Sequence, residues 1–260
     1  MTLPTVPIGP LEVTRLIVGG NPFSGFSHQS PERDRQMRQY YTVERIKATL
    51  RDCEQAGINT CMLRVDAHIC RMLEEFTNEG GRLQWLAQMA PEEACEANIN
   101  RARAFGAVGY YIHGAVTDAA YREGDLDRIR GIIDQIHSRG LLAGVAGHVP
   151  AAHLAVHEAG IATDFHMVCF YDCGSVHAGE GERFDPADPP QAVEAIRAID
   201  KPCIAYKVLG AGRVAPEEAL AYAYGHIKPV DAVNVGMFTG DRASMVADNV
   251  ALAARLMATS

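Results

Sequence analysis

The stretch Gly109–Val145, GYYIHGAVTDAAYREGDLDRIRGIIDQIHSRGLLAGV, reads as strand, helix and strand in that order. Gly109 to His113 is a short run rich in aromatic and β-branched residues, which suits a buried strand. Leu126, Ile129, Ile133 and Ile136 then recur at spacings of three and four, the stripe of an amphipathic helix, and Gly140 marks its end. Leu141 to Val145 is the next apolar run. One strand, one crossover helix and one returning strand make the unit from which parallel sheets are built.

The same beat extends in both directions. Upstream strands are predicted over Leu16 to Val18, Thr60 to Val65 and Leu83 to Met89; downstream ones over Phe165 to Tyr171, Pro202 to Leu209 and Ala232 to Met237. Thr42 is placed to cap a helix using Val43, Ile46 and Leu50 and ending at Gly57. Pro91 with Glu92 and Glu93 suits another helix start, as do Pro150, Pro189 or Pro190, and Pro216. Asp241 is expected to cap the last helix, in which Met245, Leu252 and Leu256 share a face, and Ile69 to Gly81 has the weakest helical pattern. Eight strands with intervening helices predict an α/β fold of the (β/α)8 TIM-barrel type, for which about 250 residues is typical. A doubly wound open sheet is the rival, but no G-x-G-x-x-G opens the first helix. No repeat or linker divides residues 1–260, so one barrel domain is expected.

Composition narrows the function. The 260 residues carry 24 Lys and Arg against 32 Asp and Glu, a net charge of −8, which argues against a nucleic-acid binder because no basic stripe is available to displace counterions. Apolar residues at 48% and charged residues at 22% exclude a disordered chain. No apolar run nears the roughly 18 residues of a membrane helix, and Met1 to Pro10 lacks the pattern of a signal peptide. The cysteines (53, 61, 70, 95, 169, 173 and 203) are odd in number and form no C-x-x-C pair, which reads as reduced thiols in a cytoplasmic protein. Loop-borne Cys173 is the one candidate for reactivity. No feature specifies an oligomeric state.

In a barrel, residues at the C-terminal strand ends converge on one mouth. Those positions hold Asn21, then Arg64, Asp66 and His68, then Gln88, His113 and His148, then Tyr171 and Asp172, and finally Tyr206 and Lys207. Two long connections, 22–41 and 172–188, follow strands and lie on that face; the second includes Gly174, Gly179, Gly181 and Asp185-Pro186-Ala187-Asp188. Lys207 lies in the apolar run Ile204–Leu209, where a lysine is unusual unless paired or functional. His113, His148 and Asp172 can form a divalent-metal site or an acid/base set, and no short spacing decides between them. His166, inside a strand, reads as a core histidine. Gly210, Gly212 and Arg213 after the seventh strand, and Gly236 to Arg242 after the eighth, suit a phosphate or carboxylate cradle.

The chain also resembles the aldo/keto reductases over nearly its whole length. The resemblance rests on Leu11–Gly20, Gly57-Ile58-Asn59, Tyr111-Ile112-His113, Gly144–Gly147, Ala205-Tyr206, Asp231–Gly236 and Asp248-Asn249-Val250. It implies a barrel that uses NADPH, with His113 in the active site, Tyr206 stacked on nicotinamide, and cofactor contacts from Gly210, Gly212, Arg213, Arg242 and Asn249. Those reductases combine Asp, Tyr, Lys and His. Here the aspartate position matches Met62, the tyrosine falls near Ala67 or His68, and the lysine falls near Gln88 or Met89. Only the histidine is kept, and Ala146-Gly147 stands where the family has Ser-Asn.

The expected function is therefore a barrel enzyme of aldo/keto reductase-like descent with non-redox chemistry, a lyase, isomerase or hydrolase, on a small polar or anionic substrate. Lys207, His113, His148 and Asp172 are its candidate catalytic groups, with Asn21, Arg64, Asp66, His68 and Tyr171 around the substrate. An NADP-dependent oxidoreductase with a rearranged site, and a ligand-binding barrel without turnover, are the alternatives.

Overall fold

The computed structural model describes residues 2–174 and 183–258. Gly179 and Gly181 lie outside them. Two short strands not foreseen from the sequence, β1 (Thr5–Ile8) and β2 (Leu11–Thr14), form an antiparallel hairpin. The eight strands of the barrel follow: β3 (Leu16–Gly19), β4 (Thr60–Arg64), β5 (Gln84–Gln88), β6 (Gly109–Ile112), β7 (Leu142–Gly147), β8 (Phe165–Cys169), β9 (Cys203–Tyr206) and β10 (Ala232–Gly236). Each pairs in parallel with the next, and β10 pairs with β3 to close the ring. The rival open sheet is thereby excluded, and every predicted strand is present.

Eleven α-helices are assigned among the described residues. Those packed around the barrel are α3 (Val43–Gln55), α4 (Ala67–Asn78), α5 (Cys95–Ala104), α6 (Gly114–Glu123), α7 (Leu126–Ser138), α8 (Pro150–Glu158), α9 (Asp188–Ala198), α10 (Pro216–His226) and α11 (Met245–Met257). Thr42 caps α3 as expected, its side chain accepting from the Arg45 N–H. The segment with the weakest pattern is a full helix, α4, started by Asp66 accepting from Ile69 N–H. The connection 22–41 is no plain loop: it contains most of α1 (Asn21–Ser24) and all of α2 (Pro31–Tyr40), both opened by proline. Two other starts differ from expectation. Pro91–Glu93 lies in a turn ahead of α5, and Asp241 pairs with Arg33 instead of capping α11. No described helix is long and apolar enough to cross a membrane.

The pleat sorts side chains into two sets, because successive residues of a strand face opposite sides. Outward residues such as Val18, Leu63, Ala87, Tyr110 and Val168 pack under the helices in the larger apolar cluster. Inward residues Ile17, Met62, Leu86, Tyr111, Ala146, Met167 and Ile204 fill the barrel. Val6, Ile8 and Val13 of the hairpin join this interior set, so β1–β2 seals the N-terminal end. Gly9 at the hairpin tip, with φ +56°, sits where a Cβ would strike Leu142 at the start of β7. The barrel is thus open only at the C-terminal end.

All seven cysteines are unpaired. Cys173 is fully buried and burial raises its thiol pKa, so the sequence-based candidate for a reactive thiol is inert packing.

A buried histidine pair lies behind β7. His153 of α8 and His166 of β8, both fully buried, meet at 3.1 Å through their Nδ1 atoms. The Gly147 carbonyl can only accept, so His153 Nε2 carries its hydrogen. His153 Nδ1 then accepts from His166 Nδ1–H, and His166 Nε2 accepts from the Thr163 hydroxyl. A further proton on His153 Nδ1 would set two N–H groups against each other, and one on His166 Nε2 would reverse its bond with the Thr163 hydroxyl. Burial accordingly lowers the His153 pKa to about 4 and that of His166 well below its usual value. The unfolded chain takes up protons near pH 6.5 that the native pair refuses, so stability is retained above that pH and falls as the pH drops towards 4. The expected slope is about 1.4 kcal/mol per pH unit for each histidine. Urea unfolding at pH 7, 6 and 5 measures it, and a constant midpoint across that range refutes the neutral pair.

Candidate active site

The strand ends surround a cavity of about 650 Å³. By pleat alternation its wall takes the inward residues just above the apolar filling: Gly19, Arg64, Gln88, His113, His148, Tyr206 and Asn234. The expected convergence of distant strand ends is therefore seen for Asn21, Arg64, Gln88, His113, His148, Tyr206 and Lys207.

Lys207 reaches the cavity by a local distortion. Strand β9 ends at Tyr206, which faces inward, so continued pleating would send residue 207 outward. Instead Lys207 adopts φ +54° and begins a turn in which the Gly210 N–H donates to its carbonyl. Its Nζ is buried, without a hydrogen-bond partner, 5.9 Å from the centre of the Tyr206 ring. Left-handed backbone at a residue with a Cβ costs about 1–2 kcal/mol, and an unpaired buried polar group costs more.

His148 is held by a carboxylate that the sequence reading missed. Asp118 of α6, 5% exposed, accepts from His148 Nδ1 at 2.9 Å and from the backbone N–H groups of His148 and Val149. Burial opposes the Asp118 charge, but His148 and these amides outweigh it and hold the carboxyl below its usual pKa. With Nδ1 engaged, Nε2 is the nitrogen left for acid/base work. A sequence signal existed: Gly114, Thr117 and Asp118 share the inner face of α6, where a carboxylate needs a partner. His113 caps the same helix, its Nδ1 accepting from the Ala115 N–H at 3.2 Å.

His28 was also missed. It is buried at φ +55°, donates from Nδ1 to the Gly174 carbonyl at 2.7 Å, and accepts at Nε2 from Asn21 at 3.3 Å. Arg213 donates to the His28 carbonyl, and Gln29 to that of Ala211. Residues 28 and 29 thus tie together the loops after β3, β8 and β9. Ala211, at φ +56°, lines the cavity beside them. His28, Lys207 and Ala211 are the only non-glycine residues with left-handed φ among those described, and all three line this cavity. Such strain concentrates at functional sites.

Other expected residues lie elsewhere. Asp172 does not line the cavity; it pairs with Arg183 and accepts from the Gly174 N–H. Tyr171 packs on Phe184, Asp66 caps α4, and His68 is exposed on that helix and does not line the cavity. Among the described residues no three His, Cys, Asp or Glu side chains converge as metal ligands, so His113, His148 and Asp172 do not form the metal site that the sequence left open. Arg213 is not among the lining residues; it donates to the Gly210 and His28 carbonyls.

The dinucleotide implied by the resemblance fits this mouth poorly. Tyr206, Gly212, Arg242 and Asn249 line the cavity, but Arg242 is paired with Asp248 and Arg33 with Asp241. Ala146-Gly147 supplies no side-chain amide for a carboxamide. Met62, at the family's aspartate position, lines the cavity, as does Gln88, which with Met89 is nearest the lysine position.

No family model and no curated protein matches the chain in sequence. Solved structures do match in fold. One from Pseudomonas aeruginosa, named after the aldo-keto reductases, superposes with a TM-score of 0.66 at 16% identity, covering 98% of this chain and 94% of that one. A glycerol dehydrogenase from Gluconobacter oxydans gives 0.56 at 10% identity, with 95% and 94% covered. A truncated 3-deoxy-D-arabino-heptulosonate 7-phosphate synthase from Thermotoga maritima gives 0.57 at 10%, with 99% and 91% covered. At identities this low the likeness is one of fold, the closed eight-stranded parallel barrel.

Replacing Asp118 by Asn leaves three donors facing an amide that can satisfy only some of them. A loss of about 2 kcal/mol is expected at pH 7, lowering the melting temperature by roughly 4–8 °C. The depressed Asp118 pKa makes its contribution present above the ordinary carboxylate range and lost as pH falls through the native value. The gap between wild type and variant in thermal unfolding therefore holds at pH 5 and closes in stronger acid; equal stability at pH 7 refutes the role.

Proposed function

We propose that the protein is a non-redox barrel enzyme, a lyase, isomerase or hydrolase, acting on a small polar or anionic substrate bound at the mouth. One observation carries this reading: Lys207, a residue of the cavity wall held at a strained backbone position, has a buried amine without a hydrogen-bond partner. A buried cation left in this state is retained for what it contacts in a ligand. Lys207 serves as base, electrophile or Schiff-base former. His148, oriented by Asp118, exchanges protons through Nε2, and His113 borders the same space. Asp172 acts from a distance: its charge and that of Lys207 interact, and together with the Gly174 amide, His148 and Arg183 this offsets burial and keeps the carboxyl ionised.

The second reading, an NADP-dependent oxidoreductase with a rearranged site, is favoured by Tyr206 and Asn249 on the cavity wall and by the likeness to solved reductases. It lacks a proton donor at the position where the family's reductases have one.

A panel of small hydroxy-carbonyl, keto-acid and ester substrates incubated in D2O and followed by proton NMR registers exchange, cleavage and hydrolysis together. Turnover of at least one member is expected, reduced about 100-fold or more in Lys207→Met. Borohydride trapping with mass spectrometry then reports whether the amine itself forms an adduct. A fully active Lys207→Met, or NADPH titration showing tight binding with hydride transfer to a panel member, overturns the non-redox reading.

A further inference from the structure

The polar atoms left unmatched at the mouth describe its ligand. Besides Arg33 Nε, whose guanidinium pairs with Asp241, two buried atoms there lack a hydrogen-bond partner: Lys207 Nζ and Asn234 Oδ1 on β10. Asn234 is in register with Tyr206, the residue before Lys207, so the two orphan groups come from neighbouring positions on adjacent strands. One is a donor and the other an acceptor, yet they do not bond each other. The Asn234 side chain has its room because Gly19 has no Cβ; one built there would lie 2.9 Å from Oδ1. An apolar residue at 234 would remove an unsatisfied acceptor, so its burial here points to a donor supplied from outside.

Charge limits the ligand further. Four Lys or Arg residues line the cavity. Arg64 is paired with Glu92, Arg33 with Asp241 and Arg242 with Asp248, which leaves Lys207 as the basic side chain of the lining without a carboxylate partner. The cavity carboxylate Asp241 is in turn neutralised by Arg33. A di- or trianionic phosphate ester would meet a single uncompensated positive charge, which does not offset its desolvation. Gln88 adds an amide to the wall, able to both donate and accept as hydroxyl groups do.

We infer that the mouth takes a polyhydroxylated small molecule bearing at most one negative charge, with a carbonyl or carboxylate oxygen on Lys207 Nζ and a hydroxyl donating to Asn234 Oδ1. This deepens the proposed function and rests on the same site, but it concerns binding and does not depend on which reaction follows. Asn234 is the specificity residue: it rewards the hydroxyl and penalises an analogue that lacks it.

Isothermal titration with four- to six-carbon aldonates, hexanoate and 6-phosphogluconate tests it. At least one aldonate is expected to bind about tenfold or more tighter than hexanoate, the value of one well-placed hydrogen bond, with 6-phosphogluconate no tighter than gluconate. In Asn234→Ala, checked for folding by its melting temperature, the aldonate preference collapses while hexanoate binding is unchanged. Hexanoate binding equal to the aldonates, tighter binding of the phosphorylated probe, or no aldonate binding below about 10 mM overturns the inference. Should the variant fail to fold, the comparison of probes on the wild-type protein still decides. Aldonate binding together with an inert D2O panel would sink the catalytic reading alone.

Discussion

The pairing of β10 with β3 is the constraint on which the remainder depends. Val233 faces Leu16, Asn234 faces Ile17 and Gly236 faces Gly19, and these bonds turn an eight-stranded sheet into a ring with no edge. Once the ring is closed, the pleat leaves each inward side chain only two destinations. Low on the strands it joins the apolar filling beneath the hairpin, and at the C-terminal ends it enters the mouth. Polar residues can therefore gather at one end of an otherwise apolar interior. The sealed N-terminal end and the helix layer keep water from the other sides.

Strain at the mouth is held by bonds between loops. His28 and Gln29 connect the segment after β3 to Gly174 and to Ala211, while Arg213 returns a bond to His28. Each link joins chain segments more than a hundred residues apart. A local left-handed conformation costing about 1–2 kcal/mol is tolerated where several such bonds determine it. The turn that carries Lys207 lies beside this strap, and the amine is buried at the cavity wall.

Behind the wall, the Gly147 carbonyl accepts from His153 and also from the Tyr206 hydroxyl at 3.1 Å. The next residue, His148, is fixed by Asp118. A neutral histidine pair in the shell, the aromatic ring beside Lys207 and the candidate acid/base imidazole thus share one peptide. Gly147 has no Cβ because one would lie 2.8 Å from His153 Nε2. The low pKa values of His153 and His166 follow from the same enclosure, which keeps both rings uncharged at neutral pH.

Much of this was legible beforehand for a local reason. Strand and helix periods, prolines at helix starts and Gly140 after the helix stripe act over a few residues, and a barrel repeats that pattern until it closes. Lys207, His113, His148 and Tyr206 could be placed at the mouth because strand ends converge. The hairpin β1–β2, with four residues in each strand, gives too short a signal, and in α2 the charged residues hide the helical period. Asp118, His28 and Asn234 escaped notice because their roles come from partners on other strands and loops. Asp172 and Arg213 were misplaced for the same reason, one held by Arg183 and the other by backbone carbonyls.

By itself the amino-acid order determined the alternation of strands and helices, and with it the barrel, since hydrophobic period and helix-end chemistry are written in neighbouring residues. Only the tertiary structure decided which polar groups meet, which cations are neutralised and which buried polar atoms are left unmatched. Those outcomes depend on distances between side chains far apart in the chain, and these exist only after the ring has closed.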